Sequence, residues 1–335
     1  MVENIELDEV DRGLLHALQV DGRASFSRIG EVLGVSDQRV ARRYRRLRAS
    51  GMARVVGAVN GQRLGYESWV IRLRCTPDAA VPIAEALGRR PDTSWVHLLS
   101  GGTEISCSTI QRTVKERQSL LLGRLARTDR VLSVTAHRRL HMFMGGLVGW
   151  AGLAALSPEQ EAALAAGRMS ARHGGDEPIT LGPGDEALLE ALSRDGRTGY
   201  ADLAAVTGWS ESTVRRRMEQ LCAAGAIFFH LDVLPALVGK RVEAQLWMSV
   251  PPAELDRTGQ AMARHPEAAF VGATTGPANL IATIVCDDDA AFYRYLTESL
   301  GALPAIGHTE SAPIIRTIKR FGAVLPLRTA GGATA

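Results

Sequence analysis

From Leu7 to Gly51 the apolar positions recur at helical spacing in three short runs. Leu14, Leu15 and Leu18 mark a first helix, which Asp21-Gly22-Arg23 ends with a glycine free to take a positive φ. A second helix is expected from about Ser25 to Leu33. Gly34 then supplies a tight turn, and Ser36 is placed to cap a third helix by accepting from its free N–H groups. In that third helix Val40, Tyr44 and Leu47 point inward at i, i+4 and i+7, the spacing of a helix-turn-helix unit.

After Met52 the pattern changes to that of strands. MARVVGAVN reads as a strand, followed by ESWVIRLRC, a helix around Ala80 to Arg89, SWVHLLS, EISCSTI, a helix from about Arg112 to Arg127, and VLSVTAHRRLHMF. From ESWVIRLRC on, the order β-α-β-β-α-β is that of a ferredoxin-like module.

The whole pattern then repeats. Shifted by 174 positions, residues 7–51 lie over residues 181–225 without a gap, and 18 of 45 positions are identical. Asp11 matches Asp185, Asp21-Gly22-Arg23 matches Asp195-Gly196-Arg197, and Ser36, Val40 and Leu47 match Ser210, Val214 and Leu221. The strand pattern repeats too, as VEAQLWMSV, a helix at about Ala253 to Arg264, AAFVGAT, NLIATIV, a helix from about Asp288 to Leu300, and HTESAPIIRTIKRF.

The expected fold is therefore α+β, two tandem copies of a winged-type helix-turn-helix domain followed by a ferredoxin-like βαββαβ module. The boundaries are 1–52 and 53–144 for the first copy and 181–226 and 227–325 for the second. Residues 145–180 form a linker, in which Ser157, Pro158 and Gln160 start a short helix between the glycine-rich GGLVGWAGL and the exposed tether RMSARHGGDEPITLG. Residues 326–335 are expected to form a loose tail.

Charge sharpens this picture locally. The net charge of +3 over 335 residues announces no nucleic-acid partner, yet six arginines fall within Arg39 to Arg48. On the outside of the third helix lie Gln38, Arg39, Arg42, Arg43, Arg45 and Arg46, with Ser36 at its start. These groups can reach base edges and phosphates from a major groove. The second copy offers Ser210, Ser212, Thr213, Arg216 and Arg217. From Ser36 to Gly51 the six arginines face only Asp37, whereas from Ser210 to Gly225 three arginines face Glu211 and Glu219. The first helix is thus the more strongly basic.

The motif D-x-x-L-L-x-x-L-x-x-D-G-R, then G-x-S-x-x-x-V-x-R-R-x-x-x-L-x-x-x-G, resembles the DNA-binding domain of the Lrp/AsnC family, the feast/famine regulators. The resemblance covers nearly the whole chain twice, so the molecule looks like a covalent version of that family's homodimer. It implies transcriptional regulation on an imperfect inverted repeat of double-stranded DNA and an amino acid or derivative as effector. It also implies assembly into homo-oligomers of two or four chains. In the family, the turn between the second and third strands of the α/β module borders the effector pocket. The matching stretches here are SGGTEI, with Gly101, Gly102 and Glu104, and TTGPANL, with Gly276 and Asn279. Glu104 is expected to pair with an effector ammonium, a role the uncharged Asn279 cannot copy.

No catalytic residue, metal or cofactor is expected. Cys75, Cys107, Cys222 and Cys286 form no CxxC pair. His137 and His141 are four apart in a strand, about 13 Å along one face, too far for a shared metal. Trp95 and Trp247 fall in strands as core residues, and His97 and His308 are isolated. No run of apolar residues approaches a membrane span, and the acidic start lacks a signal-peptide core, so a cytoplasmic, nucleoid-associated protein is expected. Two other classes share this architecture: a sirohaem-decarboxylase-like enzyme, and an effector sensor that does not bind DNA.

Overall fold

The computed structural model describes residues 7–111, 130–144, 153, 155–169, 179–321 and 323–324. The expected helix over 112–127, the glycine-rich part of the linker, most of the tether and the tail lie outside the described residues. The chain divides into two compact units, Met1–Glu67 with Arg138–Ala312 and Ser68–His137 with Pro313–Ala335.

Both helix-turn-helix copies lie in the first unit. The first consists of α1 (Glu9–Val20), α2 (Phe26–Leu33) and α3 (Asp37–Ala49) around Leu14, Leu15, Leu18, Ile29, Val40, Tyr44 and Leu47. Gly34, at φ 67°, makes the left-handed turn after α2, and the Ser36 side chain accepts from Arg39 N–H. The linker helix α5 (Pro158–Ala165) adds a fourth helix to this copy. Leu164 and Leu153 are buried in its core, and Gln160 Nε2 donates to Val32 O at 2.8 Å. His16 Nδ1 accepts from Ala155 N–H and Leu156 N–H, which fixes the entry to that helix.

The second copy consists of α6 (Asp185–Arg194), α7 (Tyr200–Thr207) and α8 (Glu211–Ala223) around Leu188, Leu192, Leu203, Val214, Met218 and Leu221. Gly208 at φ 72° and the Ser210 cap reproduce the turn. Each copy is followed by one strand, β1 (Ala53–Val59) and β6 (Ile227–Val233). These two pair with each other, antiparallel, from Ala53 against Val233 to Val59 against Ile227. The sequence boundary at 53 places β1 with the α/β module. It forms instead a two-stranded ribbon shared by the two copies, so neither copy carries a wing hairpin of its own.

The glycines of the repeated Asp-Gly-Arg serve close packing and not a left-handed turn. Neither Gly22 nor Gly196 has a positive φ. They are small because the ribbon passes close by. A Cβ on Gly22 would lie 3.0 Å from Phe229 Cβ, and one on Gly196 would lie 2.7 Å from the Val56 carbonyl carbon. Gly196 N–H donates to Val55 O at 2.8 Å, binding the second copy to the ribbon.

The rest of the first unit is a module of β7 (Val242–Met248), α9 (Leu255–Met262), β8 (Ala268–Thr274), β9 (Leu280–Cys286) and α10 (Asp289–Arg294), the last continued by a π-helical turn over Tyr295–Leu300. It ends in β10 (Thr309–Arg320), whose first residues belong to this unit. The spatial order is β8-β9-β7-β10, and residues from Arg139 on in β5 (Val131–Met144) add a strand beside β8. The second unit has β2 (Glu67–Cys75), α4 (Pro77–Gly88), β3 (Thr93–Leu99), β4 (Glu104–Gln111) and the first half of β5, in the order β3-β4-β2-β5. The latter part of β10 adds to the β3 edge. One face of this sheet packs Ile71, Leu73, Val96, Leu98 and Ile105 against Ala80, Ala84 and Leu87 of α4. No helix among the described residues is long and apolar enough to cross a membrane.

Candidate nucleic-acid interface

Burial of Val40, Tyr44 and Leu47 turns the opposite side of α3 outward, where Gln38, Arg39, Arg42, Arg45 and Arg46 are exposed. The arginines differ in what holds them. Arg43 is half-buried and reaches Asp8 at 2.7 Å and Asp11 at 2.9 Å, and Arg46 reaches Asp11 at 2.6 Å. Asp11 is 1% exposed, so this pairing ties α3 to α1. The second copy repeats the tie: Arg217 donates to both oxygens of Asp185, at 2.8 and 2.6 Å, and to Thr180 O at 3.2 Å. Among the described residues Arg39, Arg42 and Arg45 make no ion pair, and Arg45 is engaged only by Ala41 O through Nε.

Of the residues singled out in the sequence, α8 brings Ser212 and Arg216 to its exposed side, while Thr213 is half-buried. The Ser210 hydroxyl caps the helix and bonds the Ser212 and Thr213 hydroxyls, each at 2.9 Å. Arg216 and Arg217 border a cavity of about 380 Å³ whose other walls include Pro183, Trp209 and Gln220. Arg215, which the sequence had not singled out, lies over the Tyr200 ring at 4.4 Å.

Asp185→Ala is expected to destabilise the protein by about 2–3 kcal/mol, because it strands a guanidinium that is only partly open to water. Thermal unfolding measures it. A loss no larger than that of an exposed surface substitution would remove Asp185 from the helix-positioning role.

The two helix-turn-helix copies are clamped together by a pair of arginines that sequence reasoning missed. Arg23 donates to Gly196 O at 2.6 Å and Thr198 O at 3.2 Å, and Arg197 donates to Gly22 O at 2.7 Å and Ala24 O at 2.8 Å. Arg23 lies over Tyr200 and Phe229, both at 5.2 Å, and Arg197 over Phe26 at 4.4 Å. Arg48 adds an ion pair to Asp195 at 2.9 Å. The signal was present, since Asp-Gly-Arg occurs in both copies, but it reads locally as a helix stop. Together the clamp and the ribbon give the two outward helices a fixed relation within one chain.

At the two turns where an effector is expected, the side chains have partners within the protein. Ser100, Gly101 and Gly102 turn with φ of 50°, 70° and 89°. Glu104 is 4% exposed and is held by Arg72 Nη2 at 2.7 Å and Arg74 Nε at 2.8 Å, with the Ser100 hydroxyl at 3.4 Å. Its carboxylate is already neutralised by two guanidiniums. In the other module Gly276 has φ 101°, and the Asn279 side chain bonds both the N–H and the carbonyl of Val250, at 2.9 and 2.8 Å. Both side chains hold the fold.

Burial alone would raise the Glu104 pKa, but its hydrogen bonds and charge pairing with Arg72 and Arg74 outweigh that and hold it below the ordinary 4.5. A carboxylate with a depressed folded pKa stabilises the fold above its unfolded value and loses that contribution as pH falls through its folded value. Glu104→Gln is therefore expected to lower the melting temperature at pH 7 and to flatten its decline below about pH 4.5. Unchanged pH dependence in thermal melts would show that the cluster does not stabilise the fold.

The other sequence candidates have ordinary surroundings. All four cysteines are buried. Burial pushes the His97 pKa down to about 3, and its Nδ1 meets the Thr317 hydroxyl at 3.0 Å. Trp95 lies 4.6 Å edge-on from Phe321 and Trp247 is buried. No group of three or more potential metal ligands occurs among the described residues.

The fold is of a class in which paired helix-turn-helix units are joined to α/β modules. The AsnC-type helix-turn-helix domain matches residues 7–48 and 184–221, and the Lrp/AsnC ligand binding domain matches residues 243–324. An HTH-type transcriptional regulator of Pyrococcus horikoshii is 30% identical over 139 residues, 41% of this chain and 87% of the relative. The regulatory protein AsnC of Escherichia coli is 30% identical over 142 residues, 40% of this chain and 93% of the relative. The chain belongs to the Lrp/AsnC family, and its two helix-turn-helix segments fit a tandem form. Among solved structures, the siroheme decarboxylase NirDL is similar over 93% of both chains, with a TM-score of 0.59 and 14% sequence identity. That likeness concerns the fold alone.

Proposed function

We propose that this chain is a sequence-specific DNA-binding transcriptional regulator that carries in one polypeptide the paired reading heads its single-copy relatives would assemble from two. The observation that carries this reading is the outward row Arg39, Arg42 and Arg45 on α3, exposed and without acidic partners among the described residues, on a unit clamped to its own repeat. Such guanidiniums bind phosphates and guanine edges. Arg43 and Arg217 act in this reading by holding their helices in place, and Arg46 divides its charge between Asp11 and solvent.

The finer architecture we adopt is two tandem helix-turn-helix domains, each followed by a ferredoxin-like module. The single strands β1 and β6 stand in for wings. The target is an imperfect inverted repeat of double-stranded DNA, which places the protein on the nucleoid in the cytoplasm, and further association would bring two or four chains together. An amino acid or derivative acts at the turns carrying Gly101, Gly102 and Glu104 and Gly276 and Asn279. Because Glu104 is neutralised, the first turn would hold an effector's carboxylate on the exposed Arg74 in preference to its ammonium on Glu104.

The fold also suits a sirohaem-decarboxylase-like enzyme, and the whole-chain likeness to NirDL keeps that reading in view. Chromatin immunoprecipitation with sequencing tests the regulator directly. Discrete bound sites near promoters are expected. Absence of enrichment, together with a Soret band in the purified protein, would transfer the function to tetrapyrrole chemistry.

A further inference from the structure

The sequence repeat relates the two reading helices residue by residue at a constant offset of 174, and the clamp of Arg23 and Arg197 and the ribbon of β1 and β6 join the two copies. Gln38, Arg39, Arg42 and Arg45 of α3 therefore correspond to Ser212, Thr213, Arg216 and Glu219 of α8. Only one of the four pairs is the same residue. At 45/219 the charge is inverted, and both side chains are exposed and free of ion pairs among the described residues.

The chemistry of these groups differs in kind. Arginine presents parallel donors to guanine O6 and N7 and neutralises phosphates, and glutamine pairs with adenine N6 and N7. A carboxylate is repelled by phosphate and can be accommodated in the groove where it accepts from cytosine N4. Serine and threonine hydroxyls discriminate weakly.

A second, independent observation separates the copies. α5 covers α2 of the first copy through Gln160 and Val32, while Val206, the repeat counterpart of Val32, is 55% exposed.

We infer that the chain reads a directional DNA site: two dissimilar half-sites in fixed order, guanine- and adenine-rich under α3 and containing cytosine opposite Glu219 under α8. This rests on the DNA-binding reading above and deepens it. A homodimer of identical units binds a palindrome with no preferred orientation. This chain defines an orientation on the duplex, so a promoter on one side of its site is distinguished from one on the other.

The test is selection from a random duplex window of about 20 base pairs, enough for two half-sites one helical turn apart, with the full wild-type chain and with Glu219→Arg. The wild type is expected to enrich a motif whose halves differ. The variant is expected to change only the second half, removing its cytosine requirement, to bind on the order of threefold to tenfold more tightly, and to steepen the salt slope by about one unit. A palindromic wild-type motif, or binding without any motif, would overturn the directional inference while leaving DNA binding intact. A change in the first half-site alone would overturn the assignment of Glu219. No binding by either protein at low salt would remove both the inference and the reading beneath it.

Discussion

Replacing Arg42 and Arg45 together by alanine is expected to lower DNA affinity by tenfold or more on one operator, and to flatten the plot of log affinity against log salt by up to about two units. The reason lies in which guanidiniums are available. Of the six arginines on α3, Arg43 and Arg46 are held by Asp8 and Asp11, and Arg48 by Asp195. Arg39, Arg42 and Arg45 remain, and each phosphate that no longer meets its guanidinium keeps about one counterion that binding would have released. Arg216→Ala removes one such group from a helix whose neighbouring Glu219 opposes phosphate, so its cost is expected to be smaller, with a slope change of at most about one unit. Binding isotherms over a salt series for the three proteins measure this. An Arg216 effect equal to that of the double change, or an unchanged slope in both, would return the α3 arginines to a merely solvated face.

Gly196→Ala is expected to destabilise the protein by about 3 kcal/mol and to weaken DNA binding at temperatures where the protein is still folded. Its added Cβ would lie 2.7 Å from the Val56 carbonyl carbon and 2.9 Å from the Gly57 nitrogen, both backbone atoms of β1 that no rotamer change can move aside. Relief requires the second copy to withdraw from the ribbon, which breaks the Gly196 bond to Val55 O and pulls on the Arg23 clamp. Gly208→Ala is the comparison, because its φ of 72° costs about 1 kcal/mol but its Cβ would meet open space. Denaturant unfolding of the two variants separates steric closeness from backbone strain. Equal losses would show that the ribbon yields easily and that the two reading heads are not rigidly coupled.

Local periodicity carried much of the fold. Three helices per copy, the turns at Gly34 and Gly208 and the caps at Ser36 and Ser210 depend on residues near each other in sequence, so spacing alone reveals them. What escaped was set by distant partners. β1 has the alternation of any half-buried strand, and nothing in it says that its partner is β6, some 170 residues away. Gly22 and Gly196 look like helix stops, yet their size is demanded by a backbone passing at close range. Arg43 and Arg42 are neighbours on a basic helix, and only the buried Asp11 distinguishes a structural guanidinium from a free one. The sequence shows Glu104 as a group for an effector ammonium and hides its partners, because Arg72 and Arg74 sit on another strand, about 30 residues earlier. The repeat was the strongest signal, and it held the arginine clamp in plain view as Asp-Gly-Arg twice.

The most direct test of the central claim is a fluorescence-anisotropy titration of a footprinted duplex with the wild-type chain, repeated from about 50 to 200 mM salt. The account expects saturable binding whose logarithm falls linearly with log salt, with a slope of several units and one chain filling one pair of half-sites. A flat line across that range, or no saturable binding at about 50 mM salt, would contradict it.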